Sequence, residues 1–347
     1  MKYMYSGVVY MSFFSKKIGI DLGTANTLVI IPGKGIVRSE PSVVAISEHD
    51  HSILAIGEEA REMIGRTPDS IIAYRPMRGG VIADYRVTEA LLRHMITKTM
   101  GSWSFFKPTI MVSVPAGVNS TQRRAVIEAG MKAGAKQVYL VREPIVAAIG
   151  AGIPIYQSQG HMVIDIGGGT TDVAVIALGG IVASTSIQTA GNNIDRAISD
   201  FLKKKYNLAV GDRTAEKIKV KIGSAVLLDT QLHISVKGRD YMTGLPQSIP
   251  ISSHEITQAI AHELDEIIRA IKEVLHMTPP ELASDIIDNG IIMTGGSSQL
   301  RGLGELIYRE TGVKAKLADE PLYCVAYGIS EALSHTDLYA KVLISKR

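Results

Sequence analysis

Ile18-Gly-Ile-Asp-Leu-Gly-Thr-Ala-Asn-Thr-Leu-Val29 decides the fold, because Met162-Val-Ile-Asp-Ile-Gly-Gly-Gly-Thr-Thr-Asp-Val173 repeats it almost as a copy. Each stretch is an apolar run, one aspartate, a group of glycine and small polar residues, and a second apolar run. That order predicts a β-hairpin whose turn offers backbone instead of side-chain bulk. Glycines at Gly23 and Gly167–Gly169 let backbone N–H groups approach an anion, and beside Ala25 and Asn26 the hydroxyls of Thr24 and Thr170 can add hydrogen bonds to phosphate oxygens. Asp21 and Asp165, one at the end of each first strand, stand where a metal carried by a phosphate would meet them. Two such hairpins facing one another would grip a nucleoside triphosphate from both sides.

The bulk properties fit that picture. A chain of 347 residues exceeds what one core usually supports, so two lobes are expected. An apolar share of 46% with 20% charged residues describes a folded globular protein, and aromatics at 5% leave the core to Ile, Val, Leu, Ala and Met. With 37 basic and 34 acidic residues the balance of +3 is too small to argue for nucleic acid. A single cysteine, Cys324, excludes a disulfide framework and fits a reducing cytoplasm. No run reaches the roughly 18 apolar residues of a membrane span. The start of the chain has an apolar run after Lys2 but no small-residue cleavage site, and Met11 is an alternative start.

Strand and helix patterns alternate through both halves, which argues for two related α/β lobes. Spacing predicts helices over Glu58–Ile64, Thr88–Thr99, Asn119–Ala133, Ile145–Ala151 and, most clearly, Glu255–His276, with Ser252 and Glu255 at capping-box spacing and Pro279-Pro280 stopping the chain afterwards. Gly295-Gly296 is expected to open a helix, making a third anion-binding point with Ser297 and Ser298.

Other residues carry two readings each. Glu143, before Pro144, either orients a water toward a γ-phosphate or caps the next helix. Glu216 and Lys219, with Lys217 between them, either reach ribose and base or form a solvated i,i+3 pair. The one tryptophan, Trp103, precedes Phe105-Phe106 in an apparent loop beside Lys107. Such a loop suits shallow insertion at an anionic membrane surface or packing on its own lobe.

In chain order, Ile18–Val29, Gln137–Gly152, Met162–Ile176, Ile291–Leu306 and Glu320–Leu333 resemble the five signature segments of the actin and sugar-kinase ATPase superfamily. Within it the chain is similar to the MreB/Mbl family of bacterial actin homologues. The similarity rests on Asp21-Leu-Gly-Thr-Ala-Asn-Thr27, Glu40-Pro-Ser-Val-Val-Ala-Ile46, Arg75-Pro-Met-Arg-Gly-Gly-Val-Ile-Ala-Asp84, Asp212-Arg-Thr-Ala-Glu-Lys-Ile-Lys219 and Thr278-Pro-Pro-Glu-Leu282, and runs from Lys16 to Leu333.

The resemblance implies an actin-like ATPase fold: two ribonuclease H-like lobes, each with a smaller subdomain, around a nucleotide cleft. The expected divisions are an extension over 1–15, a first lobe over 16–150 (small subdomain 42–84), a second over 151–317 (small subdomain 191–249) and a segment over 318–347 returning to the first lobe. It implies ATP-dependent assembly into double protofilaments at the inner face of the cytoplasmic membrane, working with cell-wall elongation proteins to keep a rod shape.

By matching position, Asp21 and Asp165 would serve Mg2+, directly or through water, while Glu143 and Thr170 would place the attacking water. Gly23–Asn26 and Gly167–Gly169 would cradle phosphates, and Gly295–Ser298 would close the site. Glu216, Lys217 and Lys219 would hold ribose or base, and Phe105-Phe106 falls on the family's membrane-insertion loop. Three positions depart from the pattern: Ser297 for a usual glycine, and Asn192 and Arg142 where acidic residues are usual. Arg142 is expected to put a cation beside the water-activating glutamate and so slow or reshape hydrolysis. A nucleotide-binding scaffold without useful turnover and a small-molecule kinase of the same fold are the alternatives. A DnaK-type chaperone would need a substrate domain, and 14 residues follow Leu333.

Overall fold

Both copies of the repeated stretch are antiparallel hairpins in the computed structural model, which describes residues 16–63, 71–78, 81–101 and 107–345. Lys17–Leu22 pairs with Asn26–Ile31, and His161–Ile166 pairs with Thr171–Ala177. A third antiparallel strand follows in each lobe, Gly35–Pro41 or Gly180–Ile187. The other edge of each first strand carries a parallel neighbour, Thr109–Val114 or Ile291–Thr294, and beyond it a fifth strand, Gln137–Arg142 or Ala315–Leu317. Counted within each lobe, both sheets therefore run third, second, first, fourth, fifth. The sequence repeat is a repeat of topology. Ile344–Ser345 adds a sixth strand to the first sheet.

Helices cover the sheets, so the central strands are buried on both faces and carry unbroken apolar runs. Every residue of Thr109–Val114 and of Thr171–Ala177 is buried. Two short sheets, Val44–Ser47 with Ile53–Ile56 and Ile71–Tyr74, and Leu208–Ala209 with His233–Asp240 and Pro246–Ser252, stand apart from the large ones.

Between the large sheets lies one apolar cluster that draws on both. It holds Met111 and Val141 from the first sheet, Val163 and Ala174 from the second, and Ile145, Val325 and Ile329 from two helices, Glu143–Gly150 and Cys324–Ser334. These helices cross at Gly150 and Gly328. A Cβ on Gly150 would lie 1.8 Å from the Cys324 carbonyl oxygen, and one on Gly328 would lie 1.8 Å from that of Val146. Backbone touches backbone there, which only glycine allows.

Two helix expectations change and one gains an addition. The long apolar stripe is two helices, Ser253–Ala259 and Ala261–Met277, because Ile260 leaves helical geometry at ψ 4°. The stripe itself continues through the break, with Ile256, Ile260, Leu264, Ile267, Ile271 and Val274 all buried. Pro279-Pro280 follow the helix end at Met277 as expected, and Pro280 in addition begins the next helix, Pro280–Asn289. At the first helical position its missing N–H loses no bond. Gly295-Gly296 leads into a single 3-10 turn, Gly296–Gln299, and the α-helix starts only at Leu303.

The capping box at Ser252 forms as expected and has a measurable consequence. Burial alone would raise the Glu255 carboxyl. The Lys205 ammonium at 2.6 Å, the Tyr206 hydroxyl, and the Ser252 amide and hydroxyl at 3.0 and 2.9 Å instead hold it down at about 2. A depressed carboxylate stabilises the fold above its unfolded value of 4.5, and that contribution is lost as pH falls toward 2. Lys205 is half exposed, so screening reduces the effect to about 1 kcal/mol. Glu255→Gln should lose that amount in urea unfolding at pH 7, with the gap closing as pH drops from 4.5 toward 2. Equal stability at pH 7 would show that the cluster contributes nothing.

Candidate functional site

The hairpin turns from the two lobes meet across a cleft. A Cβ on Gly168 would sit 2.9 Å from the Ala25 Cβ, and one on Gly169 would sit 2.5 Å from the Thr24 hydroxyl. Any side chain at either glycine would fill the gap between the turns. Ser42 shapes the first turn, its hydroxyl donating to the Gly23 carbonyl at 2.6 Å and its amide to the Ala25 carbonyl at 3.0 Å. In the second turn the Gly167 amide donates to the Thr170 carbonyl at 2.9 Å. The amides of Thr24, Ala25, Gly168, Gly169 and Thr170 donate to no acceptor among the described residues. Gly169 and Thr170 are buried. Buried N–H groups without acceptors are costly, and two facing sets of them form an anion site.

Below the turns lies a floor of four carboxyl groups. Asp165, Asp172 and Glu143 are 7%, 0% and 8% exposed, while Asp21 keeps some contact with solvent. Asp21 accepts from the Ser113 hydroxyl at 2.8 Å, Asp165 from Thr294 at 2.9 Å, and Asp172 from the Ala116 amide of the other lobe at 2.8 Å.

Desolvation pushes Asp21 up to about 7 against the Ser113 bond, with the Asp165 charge adding to the rise. Desolvation likewise pushes Asp165 up to about 6 against the Thr294 bond. Asp172 rises to about 7 for the same first reason, opposed by the Ala116 amide and the hydroxyls of Ser186 and Thr170, with Asp165 adding to the rise. Glu143 stands well above the usual carboxylate range through burial and then the charges of Asp172, Asp21 and Asp165.

Among the described residues no cationic side chain is among the charges acting on Asp21, Asp165, Asp172 and Glu143, and a divalent cation would neutralise such a set. Among the described residues no three His, Cys, Asp or Glu side chains form a cage for a metal. That suits an ion which keeps its waters and borrows phosphate oxygens, needing one or two carboxylates.

Glu143 opens the Glu143–Gly150 helix as its first residue, with Arg142 at the cap position making no side-chain cap bond. Arg142 is half-buried next to Glu143 in the chain, while the charges that raise the Glu143 carboxyl come from Asp172, Asp21 and Asp165. Lys219 does not pair with Glu216. Its ammonium lies 2.9 Å from Asp195 and donates to the Gly191 carbonyl at 3.2 Å, at the N-terminus of the Gly191–Tyr206 helix. Glu216 and Lys217 are exposed on the same helix as Lys219. Gly295, at φ 85°, brings its Cα so near Asp165 that a Cβ would meet the carboxylate oxygen at 2.7 Å. Ser297 donates to the Gly167 carbonyl at 2.8 Å and Ser298 to that of Gly295 at 2.6 Å. The Gly295–Ser298 segment thus contacts the second hairpin from the start of a 3-10 turn and not from an α-helix N-terminus. Trp103, Phe105 and Phe106 lie outside the described residues.

Sequence reasoning missed Asp172, Ser42, Ser113 and Asp195. Asp172 had a signal, since closing the hairpin at Gly167–Thr170 sets it directly opposite Asp165. The others are brought in by strands and helices distant in the chain.

The chain resembles known proteins over nearly its whole length. The chain is 48% identical to the cell shape-determining protein Mbl of Bacillus subtilis (strain 168), over 96% of this chain and 100% of that protein. It is 45% identical to the cell shape-determining protein MreB of Escherichia coli (strain K12), over 97% and 99% respectively. The crystal structure of MreB 5 of Spiroplasma citri bound to AMPPNP superposes with a TM-score of 0.88, covering 94% of this chain and 98% of that one at 37% identity. A family profile described as MreB/Mbl protein matches residues 15–341. With its duplicated actin-like lobes and this degree of likeness, the chain belongs to the MreB/Mbl family.

Proposed function

We propose that this chain binds and hydrolyses ATP with Mg2+ in the cleft, and that the nucleotide governs assembly into filaments at the inner face of the cytoplasmic membrane. The filaments organise cell-wall elongation proteins and so set a rod cell shape. One observation carries the chemistry: two turns with free amides face each other above four uncompensated carboxyls. The relatives named for determining cell shape and the AMPPNP complex of MreB 5 support the reading.

Thr24, Ala25 and Gly168–Thr170 amides receive the phosphate oxygens, with Gly23, Asn26 and Gly167 shaping the turns. Asp21 and Asp165 would hold Mg2+, directly or through water, and the ion would supply charge neutralisation on the polyphosphate. Glu143 and Thr170 orient a water toward the γ-phosphorus. As its oxygen bonds to phosphorus and the bond to the ADP oxygen breaks, the Glu143 carboxylate accepts the water's proton. Lys219, held by Asp195, and Glu216 and Lys217 face the ribose and base, with Gly295, Gly296, Ser297 and Ser298 closing the site. Trp103, Phe105 and Phe106 supply the membrane contact on sequence grounds alone. Among the described residues no helix is long and apolar enough to cross a membrane.

Co-sedimentation with anionic liposomes in Mg-ATP, with phosphate release followed in the same tubes, tests all three parts. Wild type should pellet as nucleotide-dependent filaments on lipid and release phosphate. Phe105→Ala/Phe106→Ala should lose only the lipid. Filaments without phosphate release would instead mark a scaffold. A soluble monomer under every salt and nucleotide condition would sink the assembly claim and favour a small-molecule kinase.

A further inference from the structure

We propose that Ser297 is a positioning residue that aims the phosphate-binding amides of the second lobe; this rests on the nucleotide reading of the cleft. The Gly167 carbonyl receives two hydrogen bonds, from the Ser297 hydroxyl at 2.8 Å and from the Gly191 amide at 3.2 Å. The next carbonyl, of Gly168, is held by the Asn192 amide at 2.8 Å. A trans peptide is planar, and its C=O and N–H point in opposite directions. Tying both carbonyls to the start of the Gly191–Tyr206 helix therefore turns the Gly168 and Gly169 amides the other way, and neither meets an acceptor among the described residues.

Backbone supplies two of the three restraints and holds them whatever the side chains. Ser297 alone is a side chain, and it comes from a different segment, the 3-10 turn at Gly296–Gln299. Space around it is closed on the helix side, where a Cβ on Gly191 would lie 2.2 Å from the Ser297 hydroxyl and 3.3 Å from the Lys219 ammonium. Lys219 donates to the Gly191 carbonyl, on the residue whose amide shares the Gly167 acceptor with Ser297. The Gly295 amide is itself fixed to the Pro321 carbonyl at 2.8 Å, so the turn that carries Ser297 is anchored at its base. The hydroxyl joins the loop beside the nucleoside to the loop that receives phosphate. Without it the Gly167 peptide keeps one weaker restraint and can rotate, which disorders the amides that a polyphosphate needs.

Ser297→Ala and Ser297→Thr, with Mg-ATP, Mg-ADP and adenosine titrated against each, test this. Ser297→Ala should weaken ATP and ADP roughly fivefold, the value of one ordinary hydrogen bond, and leave adenosine affinity unchanged. Ser297→Thr retains the hydroxyl and should restore wild-type binding of both nucleotides. The KM for ATP should rise in Ser297→Ala with a smaller change in kcat, since the loop is ordered once phosphate is bound. If wild type binds ATP and Ser297→Ala binds it equally well, the positioning role is wrong and the nucleotide site stands. If adenosine weakens as much as ATP, Ser297 supports the nucleoside pocket and not the phosphate loop. If wild type binds no nucleotide, the reading of the cleft itself fails.

Discussion

Replacing Glu143 with glutamine should slow phosphate release by roughly 10²- to 10⁴-fold, the usual cost of losing a general base, while ATP remains bound. Glutamine keeps the shape and a hydrogen-bonding oxygen, so the water can still enter, but no group takes its proton. Binding should hold or tighten. Glu143 is buried beside Asp172, Asp21 and Asp165, whose charges oppose its own, and a carboxylate there also repels a polyphosphate. Removing one lowers that repulsion at the site where the nucleotide's own negative charge arrives. Single-turnover phosphate release, with affinity measured separately by a fluorescent nucleotide, separates the two effects. Filaments of the variant should persist in ATP, because the state that follows hydrolysis is not reached. Wild-type turnover in Glu143→Gln, or an equal loss of binding and turnover, would remove Glu143 from the water's position.

The hairpins were legible because every part of their signal is local. The apolar runs, the aspartate and the glycines lie within twelve residues, and the copy at Met162 confirmed the pattern by repetition. Asp21, Asp165 and the turn glycines consequently lie together at the cleft. Asp172 escaped notice because its importance comes from register: it lies opposite Asp165 and accepts an amide from Ala116 in the other lobe. Helical spacing, a local rule, offered Glu216 as one possible partner of Lys219, whereas Asp195 reaches it from a neighbouring helix. The surroundings of Glu143 were likewise beyond a local reading. The charges that raise its carboxyl belong to Asp172, Asp21 and Asp165, on strands distant from it in the chain. The Gly295-Gly296 pair read as a helix start, but the chain uses one 3-10 turn before the helix at Leu303.

Gly150→Ala and Gly328→Ala should each destabilise the fold by at least about 3 kcal/mol, the upper end of ordinary overpacking costs. The sign is what makes the test informative. Alanine in place of a helical glycine usually stabilises, by roughly 0.5–1 kcal/mol, and both residues sit in helices. Here the added methyl would lie 1.8 Å from a backbone carbonyl oxygen in each case, and no rotamer change can move a carbonyl aside. The helices must separate instead, and they carry the apolar cluster shared by both sheets, including Ile145, Val325 and Ile329. Gly130→Ala is the matched control, since its Cβ would meet only methyl groups of Val138 and Ile110, at 2.9 and 3.0 Å, which can shift. It should cost clearly less. Urea midpoints for the three single variants measure this directly, and an unchanged or higher midpoint for Gly150→Ala would refute the close crossing. The double variant Gly150→Ala/Gly328→Ala should fall short of the sum of the two, because the helices, once forced apart by the first methyl, have already made room for the second.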